Sequence, residues 1–138
     1  MAIVVSHSRC DALTQVRSLC AVLLRKSVMQ SASAAGSSLI KSLSPPVGDT
    51  MKKELLACIQ NEPARHIRKK VCDAVGQLGI NLLTDDMNSW PELLPFMLQG
   101  TRSGDVNMHE AALVIFNALA EFMCERMKPY APSTCPDN

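Results

Sequence analysis

The 138-residue sequence has few aromatic residues and no long apolar run. Phe, Trp and Tyr make up 4% of it, against 47% for all hydrophobic residues. The core must therefore be aliphatic, which suits close packing of helices better than a large mixed sheet. No apolar stretch approaches the roughly 20 residues of a membrane span, and the start lacks the pattern of a signal peptide. We therefore expect one soluble domain without membrane insertion.

The sequence also lacks an excess of either charge. Fourteen basic and 13 acidic side chains leave a net charge of +1. This balance gives no overall field that would gather nucleic acid, so we expect no direct nucleic-acid binding. The longest basic run, residues 65–70, contains apolar Ile67, and the stripe resumes at Val71. The run is therefore interpreted as the solvated first turn of a helix rather than a phosphate-binding patch.

Patterns for metal binding and catalysis are missing as well. The six cysteines form no C-x-x-C pair, and none has a His at the spacing found in zinc fingers. We therefore expect no metal site and no cofactor. Cys20, Cys58 and Cys72 lie in apolar helical stretches, where a reduced thiol acts as a small hydrophobic group. The paired acids Asp85 and Asp86 fall in a turn, and no Gly-rich phosphate loop is present. We predict a protein without enzymatic activity; an all-helical enzyme is the least favoured alternative.

What the sequence does contain is a helical phrase that recurs about every forty to fifty residues. It begins at Val16, returns at Ile67 and returns more loosely at Met108. A pair of leucines repeats in the same way, starting at Leu55 and at Leu93. A period in this range, built from helices alone, is typical of HEAT or armadillo solenoids. Such proteins present long surfaces to protein partners.

The apolar spacing predicts five helices, alternately long and short. They cover residues of about 11–29, 49–61, 64–83, 89–100 and 105–127. The predicted fold is all-α: a HEAT-repeat α-solenoid, a right-handed superhelical stack whose helices follow the order B-A-B-A-B. Residues 1–138 are expected to form a single segment of this kind.

Local signals suggest where the helices start. Asp11 is the predicted N-cap of the first helix. Ser89 and Glu92 have the spacing of a capping box for the fourth helix, and Trp90 beside them is expected to be a packing anchor. Pro95 is predicted to kink that helix, because proline removes one backbone hydrogen bond.

Two segments are expected to be irregular. Residues 30–48, rich in Ser, Ala, Gly and Pro, should form a long surface loop, and residues 128–138 an irregular tail. Such a stack needs about three repeats for stability, and this chain holds fewer. We therefore expect exposed apolar surface at both ends of the repeat stack. The chain is then expected to be either a piece of a longer receptor or a truncated product that self-associates.

Four phrases resemble the importin-beta (karyopherin) superfamily of nuclear transport receptors, nearest its importin-five or importin beta-three branch. They are AVLLRK from Ala21, RKKVCD from Arg68, WPELLP from Trp90 and EAALVIF from Glu110. The resemblance implies the amino-terminal HEAT repeats of that family, with B helices on an inner face and A helices outside. It also implies three partners, namely Ran GTPase in its GTP form on the inner face, cargo proteins, and Phe-Gly nucleoporins between A helices. The implied location is the cytoplasm and the nucleus, with shuttling through the nuclear pore.

Carried over by position, the resemblance predicts partner-binding residues on the inner faces of the B helices. They are Ser18, Arg25, Lys69, Asp73, Gln77, Glu110 and Asn117. An ordinary solvated helix face is the alternative interpretation of each. The predicted function is that of a protein-binding segment of a nuclear transport receptor, contributing to recognition of Ran-GTP, cargo or nucleoporins in protein import. A HEAT-repeat scaffold of another complex is the alternative, and the four phrases argue against it.

Overall fold

A computed structural model describes residues 2–33, 42–86 and 88–127, with side chains described over 12–30, 42–86 and 88–124. Helices account for the regular structure in these ranges. They are α1 (Ala2–Ser33), α2 (Pro45–Asn61), α3 (Arg65–Asp85), α4 (Leu93–Arg102) and α5 (Val106–Met127). The predicted all-α solenoid class is confirmed. Within the described ranges, no helix combines the length and the apolar character that crossing a membrane requires.

The helices form two layers. α3 packs extensively against both α1 and α5, so these three longer helices lie side by side in one layer. α2 packs against α3 and touches α5, and α4 packs against α5, so the two shorter helices form a second layer. This is the predicted B-A-B-A-B order, with α1, α3 and α5 as B helices.

The core lies between the layers and is centred on α3. Its apolar residues recur every three or four positions and form one continuous stripe. The buried members of this stripe are Ile67, Val71, Val75, Leu78 and Leu82. α2 adds Leu56 and Ile59, while α5 adds Ala111, Ala112, Ile115 and Leu119. Trp90, before α4, is only 2% exposed, so it packs as the predicted anchor. The sequence pattern therefore located this part of the core.

α1 uses its apolar residues differently from α3. A side with smaller residues, Ala21 and Val28, is buried. The larger residues of its periodic stripe, among them Leu13 and Leu23, are more than half exposed. Cys20 is exposed too, and so is Cys58 on α2, so those two thiols do not act as the buried hydrophobic groups that their sequence context suggested. Among the larger apolar residues of α1 whose side chains are described, the partly buried Leu24 packs against the core.

The ends of the first two helices correct three predictions. α1 begins at Ala2, so Asp11 lies inside the helix and is not its N-cap. α1 also continues to Ser33, and α2 already begins at Pro45, so the predicted loop over 30–48 is wrong at both of its ends. Pro45 and Pro46 occupy the first helical positions, where the missing N–H group would be unpaired anyway. Residues 34–41 and the predicted tail 128–138 lie outside the described residues.

The fourth helix starts later than predicted. Ser89 to Glu92 form turns, α4 begins at Leu93, and no side-chain hydrogen bond caps it, so the capping box is wrong. The later start also changes the role of Pro95, which becomes the third helical residue. The first four N–H groups of a helix have no partner within it, so proline removes no hydrogen bond at this position. The reason for the predicted kink therefore disappears.

α3 and α5 approach closely at Gly76. A Cβ atom added to Gly76 would lie 2.8 Å from the Cβ of Ala118. Overpacking of this kind costs about 1–3 kcal/mol, against a gain of about 1 kcal/mol from replacing a helical glycine by alanine. We expect Gly76→Ala to lower the free energy of unfolding. The double variant Gly76→Ala/Ala118→Gly should lose less stability than the sum of the losses in the two single variants. Thermal unfolding of the three variants tests this, and a Gly76→Ala variant that melts higher than the parent would contradict it.

Candidate protein-binding face

Polar side chains from α1, α3 and α5 form one face of the longer-helix layer. On α3, Lys69, Asp73 and Gln77 are spaced by four residues, so they lie on one side of the helix, apart from the apolar stripe. α1 adds Ser18 and Arg25, and α5 adds Glu110 and Asn117. All seven are exposed or partly exposed, and we call them the inner face: Ser18, Arg25, Lys69, Asp73, Gln77, Glu110 and Asn117.

The α3–α5 part of the inner face is a charge cluster around Glu110. The Arg65 Nε–H donates to Glu110 Oε2 at 2.9 Å, and Lys69 Nζ lies 3.2 Å from Glu110 Oε1. The hydrogen bond from Arg65, together with the one from Lys69, lowers the pKa of Glu110 to about 2. Glu110 therefore carries its negative charge throughout the neutral pH range. The sequence predicted Glu110 and Lys69 but missed Arg65 as their partner.

The α1–α3 part of the face contains looser contacts. Lys70 Nζ donates to Ser18 Oγ at 2.6 Å, and Arg25 Nη1 lies 4.0 Å from Asp73 Oδ2. The Arg25 and Asp73 side chains are both nearly half exposed, and exposed pairs of this kind contribute little to stability. Lys70, like Arg65, was missed, because spacing along one helix does not reveal which side chain faces it from the next.

An open groove of about 530 Å³ runs along α5 beside α3. Its lining includes Asp73, Glu110 and Asn117 of the inner face, together with the apolar residues Val106 and Leu113. The structure thus brings three of the predicted residues around one groove. A second groove, of about 330 Å³, lies on the α1 side and includes Ser18 in its lining. Gln77 is not among the lining residues of either.

A buried polar network links the repeats. Arg68, only 4% exposed, donates from Nη1 to the Glu62 carbonyl oxygen and from Nη2 to Asn107 Oδ1, both at 2.7 Å. The buried Glu62 carboxylate accepts the Ala64 N–H at 3.0 Å, and Arg17 Nε lies 3.3 Å from its other oxygen. The network therefore connects α1, the turn before α3, α3 itself and the start of α5.

This network corrects one interpretation of the sequence. The basic run 65–70 was expected to be solvated, and Arg65 and Lys69 are exposed. Arg68 is buried instead, because it lies on the side of α3 that meets the turn before α3 and the start of α5. Its two hydrogen bonds, one of them to the buried Glu62, then compensate for its removal from water.

The metal-ligating and thiol side chains of the described residues are scattered. Among them, no group of three or more His, Cys, Asp or Glu is placed to hold a metal ion. The described cysteines are free thiols, and burial raises the pKa of Cys72 to about 12, which leaves it a poor nucleophile. The inner face instead combines exposed charges of both signs with hydrogen-bonding groups, which is the chemistry of a contact surface.

Residues 63–133, which include all of α3, α4 and α5, match a family model described as "IPO5-like, TPR repeats". The chain belongs to this importin-5-like family. It is 30% identical over 106 residues to a protein of Dictyostelium discoideum named "Probable importin-5 homolog", a match that covers 77% of this chain and 10% of that protein. It is also 32% identical over 114 residues to "Importin subunit beta-3" of Saccharomyces cerevisiae, with coverage of 77% and 10%.

Family membership confirms the resemblance to the importin-beta superfamily that the four phrases indicated. Three of those phrases, from Arg68, Trp90 and Glu110, lie within the matched residues, while the phrase from Ala21 precedes them. The chain spans about a tenth of the length of the curated relatives it matches.

Proposed function

We propose that this chain is a protein-binding segment of an importin-beta-type nuclear transport receptor. In this proposal the inner face contacts Ran GTPase in its GTP form, and the chain carries out no catalysis. The supporting observation is that the face continues across three neighbouring helices of a chain in this family. A groove along α5 adjoins it and supplies apolar surface next to the charges.

The charges of the inner face suit a partner that is itself charged and polar. Lys69 and Arg25 lie beside Asp73 and Glu110, so both signs are present within a short distance. Exposed ion pairs contribute only about 0–1 kcal/mol, so the side chains can exchange their present partners for groups on a bound protein at low cost. Complementary charges of this kind favour specific recognition and fast association.

Cargo proteins and Phe-Gly nucleoporins are further partners in this proposal, which assigns the receptor to traffic between cytoplasm and nucleus. The groove that lies against α4 is lined by Gln60, Phe96 and Gln99, among others, and has a volume of about 80 Å³. It is much smaller than the groove of about 530 Å³ beside the inner face. The inner face is therefore the surface to test first.

The test is calorimetric titration of the full chain with Ran loaded with GTP and, separately, with GDP. We expect binding that is selective for the GTP form. Lys69→Ala/Asp73→Ala, which changes two exposed or partly exposed side chains, should weaken that binding at least about tenfold, as expected for loss of about 1.4 kcal/mol of contact energy. Circular dichroism should first show that the variant keeps its helical content and melting temperature.

The matched control is Arg102→Ala. Arg102 is also charged and exposed, but it lies in the last turn of α4, in the second layer. This variant should bind Ran-GTP like the parent chain. Either of two results would overturn the assignment to the inner face: a folded chain that does not distinguish GTP from GDP, or equal affinities for the double variant and the control.

A further inference from the structure

The groove of about 330 Å³ on the α1 side is lined by residues of both α1 and α3, and we call it the α1–α3 groove. Its lining includes Lys70, a partly buried cation whose Nζ donates to Ser18 Oγ at 2.6 Å. Within the described residues, Lys70 forms no ion pair with a carboxylate, whereas Arg65 and Lys69 share Glu110. Partial burial of a cation costs hydration, which a neutral partner restores only in part and an anion would restore better.

The acids that contact α1, Asp73 and Glu62, each pair with one of its arginines. The Asp73 carboxylate lies 4.0 Å from Arg25 Nη1, and Asp73 lines the other groove, along α5. The Glu62 carboxylate lies 3.3 Å from Arg17 Nε. The described lining of the α1–α3 groove itself contains no acidic side chain. The charge of Lys70 is therefore left without a carboxylate partner by the residues that the structure describes.

The two walls of the α1–α3 groove differ in chemistry. The α3 wall consists of His66 and Lys70, which are four residues apart and therefore lie on one side of the helix. The α1 wall carries the Ser18 hydroxyl next to the apolar residues Leu19 and Val22. Ser18 Oγ accepts from Lys70, so its own hydroxyl hydrogen can be donated to a third group. The ammonium and the hydroxyl together can thus hold one carboxylate, through hydrogen bonds strengthened by charge.

The size of the groove fits a short peptide segment. Its α1 wall extends from Thr14 to Val22, which corresponds to about 12 Å along a helix that rises about 1.5 Å per residue. An extended peptide rises about 3.3 Å per residue, so about four of its residues cover this length. Successive side chains of an extended peptide point in opposite directions. An acidic side chain can therefore reach Lys70 while the next, apolar one covers Leu19 and Val22.

Phosphate groups and nucleic acids suit the α1–α3 groove less well than a carboxylate. Proteins recognise phosphorylated segments mainly with clustered arginines, and the groove lining contains one lysine and no arginine. A nucleic acid requires a series of cations along its phosphates. A single ammonium with a neutral hydroxyl beside it matches the single charge of one Asp or Glu side chain.

We infer that the α1–α3 groove binds a short acidic segment of a partner protein, with one Asp or Glu carboxylate held by Lys70 and Ser18. The inference rests on the proposed function in one respect, namely that the chain is a protein-binding segment, and it does not require Ran as the partner. Ser18 is shared with the inner face, so the acidic segment lies at the α1 side of that face.

The test is an NMR titration of the full chain with two synthetic peptides, one of alternating Glu and Leu and one with Gln in place of each Glu. At 15.0 kDa the chain is small enough for its amide signals to be followed individually. We expect the Glu peptide to shift signals of residues 14–22 and 66–70. It should bind at least about tenfold more tightly than the Gln peptide, because a charge-assisted contact is lost with each carboxylate.

Three variants assign the preference for the Glu peptide to Lys70. Lys70→Gln should abolish the difference between the two peptides, since it removes the charge and keeps most of the side chain. Lys70→Arg keeps the positive charge and should retain most of the preference. The matched control is Lys53→Gln, because Lys53 is an exposed lysine of α2, in the second layer, and this variant should bind like the parent. Circular dichroism verifies that each variant keeps its helical content.

Three results would disprove the inference. The first is a folded parent chain that binds the two peptides equally or binds neither. The second is equal affinity of Lys70→Gln and Lys53→Gln for the Glu peptide. The third is an oligothymidylate that shifts the same signals at lower concentration than the Glu peptide, since that would assign the groove to nucleic acid.

The outcome is separate from that of the Ran titration. A chain that binds the Glu peptide through Lys70 but does not bind Ran-GTP would disprove the assignment of Ran to the inner face and support this inference. A chain that binds Ran-GTP but shows no preference for the Glu peptide would disprove this inference alone.

Discussion

Replacing Ile115 by alanine should lower the free energy of unfolding by about 2–5 kcal/mol, the usual cost of deleting several buried methyl or methylene groups. Ile115 is 0% exposed and belongs to the core cluster, where α5 meets its neighbours. The cost combines lost burial with the cavity left behind, because packed helices relax only partly around it. Urea unfolding followed by circular dichroism measures the change.

The size of the side chain should set the size of this effect. Ile115→Val removes one methylene and should cost about 0.5–1.5 kcal/mol. Val47→Ala is the control, because Val47 is exposed and surface substitutions usually change stability by no more than about 0.5 kcal/mol. An Ile115→Ala variant with the same urea midpoint as this control would show that α5 is not held by the core as described.

Replacing Arg68 by alanine should destabilise the chain by at least about 1.5–3 kcal/mol, the contribution of one hydrogen bond from a charged donor. Arg68 donates to the Glu62 carbonyl oxygen and to Asn107 Oδ1, both at 2.7 Å. Its removal leaves these acceptors without their donor. The urea midpoint should fall while the slope of the transition stays unchanged.

The geometry of the guanidinium, and not only its charge, should matter at this position. Arg68→Lys keeps the positive charge but cannot bridge two acceptors in the same way, so it should recover only part of the lost stability. Arg102→Ala, at an exposed arginine, is the control and should change the midpoint little. Equal midpoints for Arg68→Ala and Arg102→Ala would refute a structural role for the network.

Helices could be predicted more reliably than their ends. The apolar stripe of α3, from Ile67 to Leu82, gave the correct helix and its buried side, because both follow from the helical period. The start of α4 was wrong, although Ser89 and Glu92 have the spacing of a capping box. A capping box requires the backbone to turn into a helix at Ser89, and the chain instead forms turns there.

The inner face was predicted as a set of residues but not as a set of contacts. Spacing by four placed Lys69, Asp73 and Gln77 on one side of α3. It could not show that Arg65 and Lys69 share one carboxylate, Glu110, 41 or more residues away along the chain. It also missed the burial of Arg68, whose acceptors belong to other segments. Whether the face binds a partner remains a prediction.

The sequence by itself determined the all-α class, the alternation of long and short helices and the apolar side of α3, because these depend on local periodicity. The tertiary structure decided which apolar residues are covered. Val16 of α1 and Ile67 of α3 are counterparts in the repeat, yet they are 56% and 1% exposed. α3 has a helix on either side and α2 packed against it, whereas in the described structure α1 packs mainly on α3. Burial depends on the neighbours that a helix has, and a repeating pattern does not specify them.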